Sequence, residues 1–145
     1  MTNASRRPLP KPSPWSAPFW AAARERRLVI QVCGDCQTRT MYPKKFCPSC
    51  LSGKLGWMES TGRGDVYSFS IQLRAAPSFF VDRVPYVVAV IKLDEGVQLM
   101  SNIVGDRALE VACGDRVVVD FEPVPDSTIV LPVFRLDASA GQNAS

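Results

Sequence analysis

The chain contains no histidine. That removes the side chain that titrates nearest neutral pH, and with it the commonest general base. Ser–His and Cys–His nucleophilic machinery is excluded outright, and half of the usual set of metal ligands is gone. No apolar run approaches the roughly 18 residues that suggest a membrane span. Residues Met1 to Pro14 are polar and proline-rich and lack the apolar segment of a secretory signal. The expectation is a cytoplasmic protein in reducing surroundings, where clustered cysteines read as metal ligands rather than disulfides. Long helices are also disfavoured, because twelve prolines and nine glycines in 145 residues suit short strands and turns.

Apolar residues make up 46% of the chain, enough to build a core. The net charge of +3 is unevenly spread. Residues 1–54 hold ten Lys and Arg against two Asp and Glu, a net +8. Residues 55–145 hold seven against twelve, a net −5. A basic half suits a polyanionic or acidic partner, and it equally suits a soluble basic tail.

Residues 1–14 read as a flexible tail, with four prolines among small polar residues. Residues 15–27, WSAPFWAAARERR, read as a short helix, with Ser16 as N-cap and Pro18 in the first turn. Phe19, Trp20 and Ala23 share one face of it. Such a helix is too short to stand alone, so Trp15, Phe19 and Trp20 must dock, either on the chain's own core or on a partner. Residues 28–32 read as a strand. Further strands are expected at 65–73, 86–93, 97–104, 116–122 and 129–136, each rich in Val, Ile, Phe or Tyr and bounded by turn residues. Asp94-Glu95-Gly96 is a tight turn joining the second and third of these. The connection from Ala75 to Val84 carries Phe79 and Phe80, and aromatics in a loop suggest contact with something. Five short strands fit a small barrel, the OB-fold first. The expected organisation is therefore mostly β: a tail (1–14), a helix and metal module (15–54), a five-stranded barrel (55–137) and a second tail (138–145).

The metal module is Cys33-Gly-Asp-Cys36, ten residues, then Cys47-Pro-Ser-Cys50. Each CxxC pair makes a knuckle that aims two thiolates at one point, and two knuckles complete a tetrahedron. Zn²⁺ is the favoured occupant; iron, or a pair of disulfides, is the alternative. Four thiolates leave no open position, so such a site is structural and not catalytic. Lys44 and Lys45 lie between the knuckles, where they offset thiolate charge. Cys113 is the odd thiol, expected at least half-buried and inert.

The order of features resembles a known family. Pro18-Phe19-Trp20 is followed by Leu28 to Cys33, then Tyr42-Pro43 and Phe46-Cys47-Pro48-Ser49-Cys50. Gly62-Arg63-Gly64-Asp65-Val66-Tyr67-Ser68-Phe69, Pro85-Tyr86-Val87-Val88-Ala89 and Gly114-Asp115-Arg116-Val117-Val118-Val119 come next. Over about residues 15–136 this looks like the zinc-ribbon plus OB-fold family catalogued as domain of unknown function thirty-five. The resemblance implies an N-terminal helix, a rubredoxin-like zinc ribbon with Cys33, Cys36, Cys47 and Cys50 as ligands, and a C-terminal OB-fold. It also implies a thiolase-like partner in a hetero-oligomer, such as a steroid side-chain aldolase, an acetylphloroglucinol-type acetyltransferase or an archaeal thiolase–synthase assembly. There the small protein is a scaffold that helps to form the path for CoA or acyl-CoA, and the partner supplies the catalytic cysteine and histidine.

Three functions are then weighed. The first is a non-catalytic accessory subunit of a thiolase-like acyltransferase or aldolase. Its expected interface residues are Trp15, Phe19, Trp20, Phe79 and Phe80, and its weaker candidate phosphate contacts are Arg24, Arg27, Lys44 and Lys45. The second is a protein binding single-stranded nucleic acid, with Tyr67 and Phe69 stacking on bases; the acidic barrel half speaks against it. The third is an independent enzyme using Asp82, Asp94, Glu95 or Asp115, although turn formation explains each of these.

Overall fold

A computed structural model describes residues 10–74, 84–125 and 127–137. The helix α1 runs Ala17–Arg24, with Pro18 in its first turn. It starts where Ser13 turns the chain, its carbonyl accepting the N–H groups of Ser16 and Ala17. Ser16 occupies the N-cap position, but its hydroxyl turns back to accept the Ser13 N–H at 2.8 Å and does not cap the helix. The helix stops short of the expected Arg27 because Arg26 adopts φ +61, and the N–H groups of Arg26 and Arg27 close on Ala23 and Ala22. That left-handed turn feeds Leu28 into the first strand. Phe19, Ala22 and Ala23 form the buried face.

A three-stranded antiparallel sheet follows. Its central strand β1, Val29–Cys33, lies between β2, Arg39–Thr40, and β3, Leu55–Glu59. Neither β2 nor β3 has a counterpart among the expected runs. β2 is only two residues long, and β3 (LGWME) lacks β-branched residues and a period-two pattern.

The remaining strands close into a barrel: β4 Arg63–Gln72, β5 Tyr86–Leu93, β6 Gln98–Val104, β7 Arg116–Pro123 and β8 Val130–Leu136. Their spatial order is β4-β5-β6-β8-β7, with β6 and β8 the one parallel pair. This is the expected five-stranded OB-fold. Strand β5 shows why it forms: Val87, Ala89, Ile91 and Leu93 are buried at period two. They meet Val66, Val117 and Phe134 in the core. Gly64 lets β4 cross close to β5, since a Cβ there would run into the Lys92 carbonyl oxygen.

The two parts are tied together. The Glu95 carboxylate, in the β5–β6 turn, accepts from the Ser60 hydroxyl at 2.7 Å and the Thr61 N–H at 2.9 Å. Arg39 on β2 donates to the Glu95 carbonyl at 3.1 Å. The Tyr42 hydroxyl accepts the Met100 N–H at 2.8 Å. Among the described residues no helix is long and apolar enough to cross a membrane.

Candidate metal centre

Both knuckles have the same backbone geometry. The N–H of Cys33 donates to Thr38 and that of Cys47 to Ser52, each five residues on. Gln37 and Leu51, the residues after the second cysteine of each pair, both take left-handed backbone, at φ 67 and 64. The first thiol of each pair is then surrounded by backbone donors. Asp35 and Cys36 point N–H groups at the Cys33 Sγ, at 3.3 and 3.4 Å, and Ser49 points one at the Cys47 Sγ, at 3.3 Å. Such bonds favour thiolate over thiol.

All four sulfurs lie within 4.8 Å of one another. Cys33 to Cys50 and Cys36 to Cys47 are each 3.6 Å apart. Tetrahedral Zn–S bonds of ~2.3 Å place ligand sulfurs about 3.8 Å apart, so the cluster has the size a zinc ion requires. The Thr38 hydroxyl, at 3.0 Å, and the Thr38 backbone hold Cys36 down to about 6. Cys50 is lowered by the Ser52 backbone, yet the neighbouring Cys36, burial, Cys33 and Cys47 push it up to about 12. Four thiolates do not coexist at these distances without a cation among them. The four cysteines hold a structural Zn²⁺, and no ligand position is left for a substrate.

Sequence reasoning missed Gln31. It is buried on β1, and its amide spans the loop between the knuckles. Its Nε2 donates to the Lys44 carbonyl at 2.9 Å and its Oε1 accepts the Lys44 N–H at 2.8 Å. A polar residue inside an apolar strand was the available signal.

The other expected residues fall in different places. Phe19, expected as a partner-facing aromatic, is instead a core residue with 8% of its surface exposed, because the amphipathic helix turns it onto the barrel. Its ring meets Trp20 edge-on, at 5.0 Å between centroids. Trp20 is partly buried and Trp15 is 43% exposed. Phe19 and Trp20 border a cavity of about 300 Å³ that reaches Tyr42, Met100 and Pro132. Trp15, Trp57, Lys44 and Lys45 surround a separate depression of about 240 Å³. Arg24 is exposed at the end of α1, whereas Arg27 is engaged by Glu25 at 2.8 Å and Glu59 at 3.5 Å. Phe79, Phe80 and Asp82 lie outside the described residues.

The described candidate acid and base residues have structural partners. Asp94 is bound by Arg116 at 2.8 and 3.0 Å. Asp115 accepts the Ala112 N–H at 2.8 Å, and Glu95 ties the two parts together. Tyr67 and Phe69 do not share a face, because a bulge between Val66 and Ser68 turns Tyr67 out while Phe69 packs on the core. Cys113 differs from expectation: it is exposed, in the turn before β7.

The fold and the site define a class: a four-cysteine zinc ribbon, carried by a short helix, joined to an OB-fold barrel. Two family models match in that order. Residues 20–56 fit "ChsH2, rubredoxin-like zinc ribbon domain" and residues 57–122 fit "ChsH2, C-terminal OB-fold domain". A "DUF35 domain-containing scaffold protein" of Methanocaldococcus jannaschii is 30% identical, over 74% of this chain and 77% of its own length. A solved structure titled "Ltp2-ChsH2(DUF35) aldolase" is 37% identical with a TM-score of 0.76, covering 88% of this chain and 98% of its own. A "Probable enoyl-CoA hydratase alpha subunit" of Thermomonospora curvata is 38% identical over 89% of this chain, but this chain spans only 40% of that relative's length. The chain belongs to the DUF35 family of zinc-ribbon and OB-fold proteins.

Proposed function

We propose that the protein is a non-catalytic accessory subunit of a thiolase-like enzyme that uses acyl-CoA, an acyltransferase or an aldolase. The observation that carries this reading is the likeness to the DUF35 chain of the solved aldolase over 98% of that chain. The chemistry of the chain agrees with it. A closed four-thiolate site offers no Lewis acid to a substrate, and there is no histidine to act as base. The thiolase-like partner would supply the reacting groups.

On this reading Trp15 and Trp20, with Phe79 and Phe80, form part of the partner interface. Lys44 and Lys45, beside Trp15 and Trp57, are the better-placed of the candidate phosphate contacts and would flank a CoA path; Arg24 is a further one. Arg27 is a weaker choice because two carboxylates already neutralise it. The single-stranded nucleic-acid reading has less support, since the bulge in β4 splits the Tyr67–Phe69 stacking pair. The assay that tests the proposal measures acyl-CoA turnover by the isolated chain, by the partner alone and by the two together. The expected result is no turnover by the chain alone and a gain when it joins the partner. Turnover by the isolated chain would overturn it.

A further inference from the structure

The four zinc ligands are chemically alike but unequally placed. Cys33 and Cys47 are closed off from solvent, whereas Cys36 and Cys50 are exposed. Each exposed sulfur lies against a buried sulfur of the other knuckle. Cys50 is 3.6 Å from Cys33, and Cys36 is 3.6 Å from Cys47. In each of these pairs a dissolved oxidant reaches one sulfur directly, and the other only through its neighbour. Cysteine oxidation follows thiolate character and access, and an adjacent thiolate turns the first product into a disulfide. A zinc ligand is already a thiolate, so access and the donors around each sulfur decide the order.

The two exposed sulfurs differ in those donors. Cys36 takes the Thr38 hydroxyl at 3.0 Å and the Thr38 backbone as well. Cys50 has the Ser52 backbone alone. A donor that makes a thiolate about tenfold less basic slows its nucleophilic attack about threefold. We propose that Cys50 is a site of reversible oxidation by a hydroperoxide, that Cys33 resolves it, and that the reaction opens the zinc centre.

The chemistry balances within the pair and its oxidant. The Cys50 Sγ attacks the terminal oxygen of the hydroperoxide. An S–O bond forms and the O–O bond breaks. Cys50 becomes a sulfenic acid, and the departing oxyanion takes a proton from water. The Cys33 thiolate then attacks the Cys50 Sγ. An S–S bond forms, the S–O bond breaks and hydroxide leaves. Two electrons have passed from the two sulfurs to the peroxide. The sulfurs close from 3.6 Å to the ~2.05 Å of a disulfide. Cys36 and Cys47 then remain as half of the donor set that a structural zinc requires, so the ion is released. A dithiol reductant reverses the reaction and returns both ligands. This inference does not depend on the enzyme-partner reading.

Hydrogen peroxide added to the full zinc-loaded chain tests it. The Cys113→Ser background removes the exposed thiol outside the cluster. Zinc release is followed with a chromogenic chelator. Samples taken early are alkylated and their disulfides mapped by mass spectrometry. The expected result is release of zinc together with a first disulfide joining Cys33 to Cys50, and recovery of zinc binding after reduction. Thr38→Val removes the hydroxyl donor of Cys36, and the share of chains first joined at Cys36 and Cys47 should rise about threefold. An unchanged share would contradict the part given to Thr38. Zinc that stays bound under excess peroxide overturns the proposal, as does a first disulfide that joins any other pair.

Discussion

Cys33 and Cys47 have no exposed surface, whereas Cys36 and Cys50 lie at the rim. Replacing a buried ligand removes a thiolate that nothing nearby can substitute. Cys33→Ser is expected to purify with less than stoichiometric zinc, and elemental analysis of tag-free protein would show it. A second residue matters without touching the metal. Gln31→Leu would remove both hydrogen bonds to the backbone of the exposed Lys44, at a cost of about 0.5–1.5 kcal/mol each, measured as a lowered urea midpoint. The four ligands were legible in the sequence because a CxxC knuckle is a local device whose spacing fixes its geometry. Gln31 was not, because its role depends on a loop thirteen residues away. Phe19 was misplaced for a related reason: an aromatic on a short helix serves a core or a partner equally well until the surface it faces is known.

Among the elements, the barrel strands were legible because buried residues alternate along them, as in β5. The bulge in β4 was not, since one extra residue leaves no mark in composition, and it moved Tyr67 to the outside. Ion pairs bind the ends of the strands. Arg116 joins Asp65 on β4, at 2.8 Å, to Asp94 at the β5 turn, and Asp120 on β7 pairs with Arg135 on β8. Hydrogen bonds from Arg116 hold Asp94 below the ordinary carboxylate value of 3.8. Arg135, and then the Phe121 N–H, do the same for Asp120. A depressed carboxylate stabilises the fold above its unfolded pKa, and that contribution is lost as pH falls through the folded value. Stability is therefore expected to hold down to about pH 4 and to fall below it. Asp94→Asn should flatten that fall in urea titrations run at successive pH values. The ribbon depends on its metal in a way the barrel does not. Chelating the zinc should raise amide exchange across Val29–Cys33 and Leu55–Glu59, while β5 and β7 stay protected.

At the scale of the molecule, the helix and the zinc ribbon are tied to the barrel through Glu95, Arg39 and Tyr42. Histidine is absent, Asp94, Glu95 and Asp115 are engaged in structural bonds, and the four cysteines form a closed cluster. The surface is where sequence reading was weakest. Charge asymmetry and aromatic content do not say which faces meet a partner, because those faces assemble from distant segments. The pairing of Trp15 with Trp57 and the two lysines is one example. The central claim is that this scaffold works as part of an enzyme. The most direct measurement is gentle affinity purification from the native host, with the mass of the intact complex and the identity of its components read by mass spectrometry. The account predicts a thiolase-like protein in stoichiometric amount. A chain that purifies without a protein partner, or with nucleic acid in its place, would contradict it.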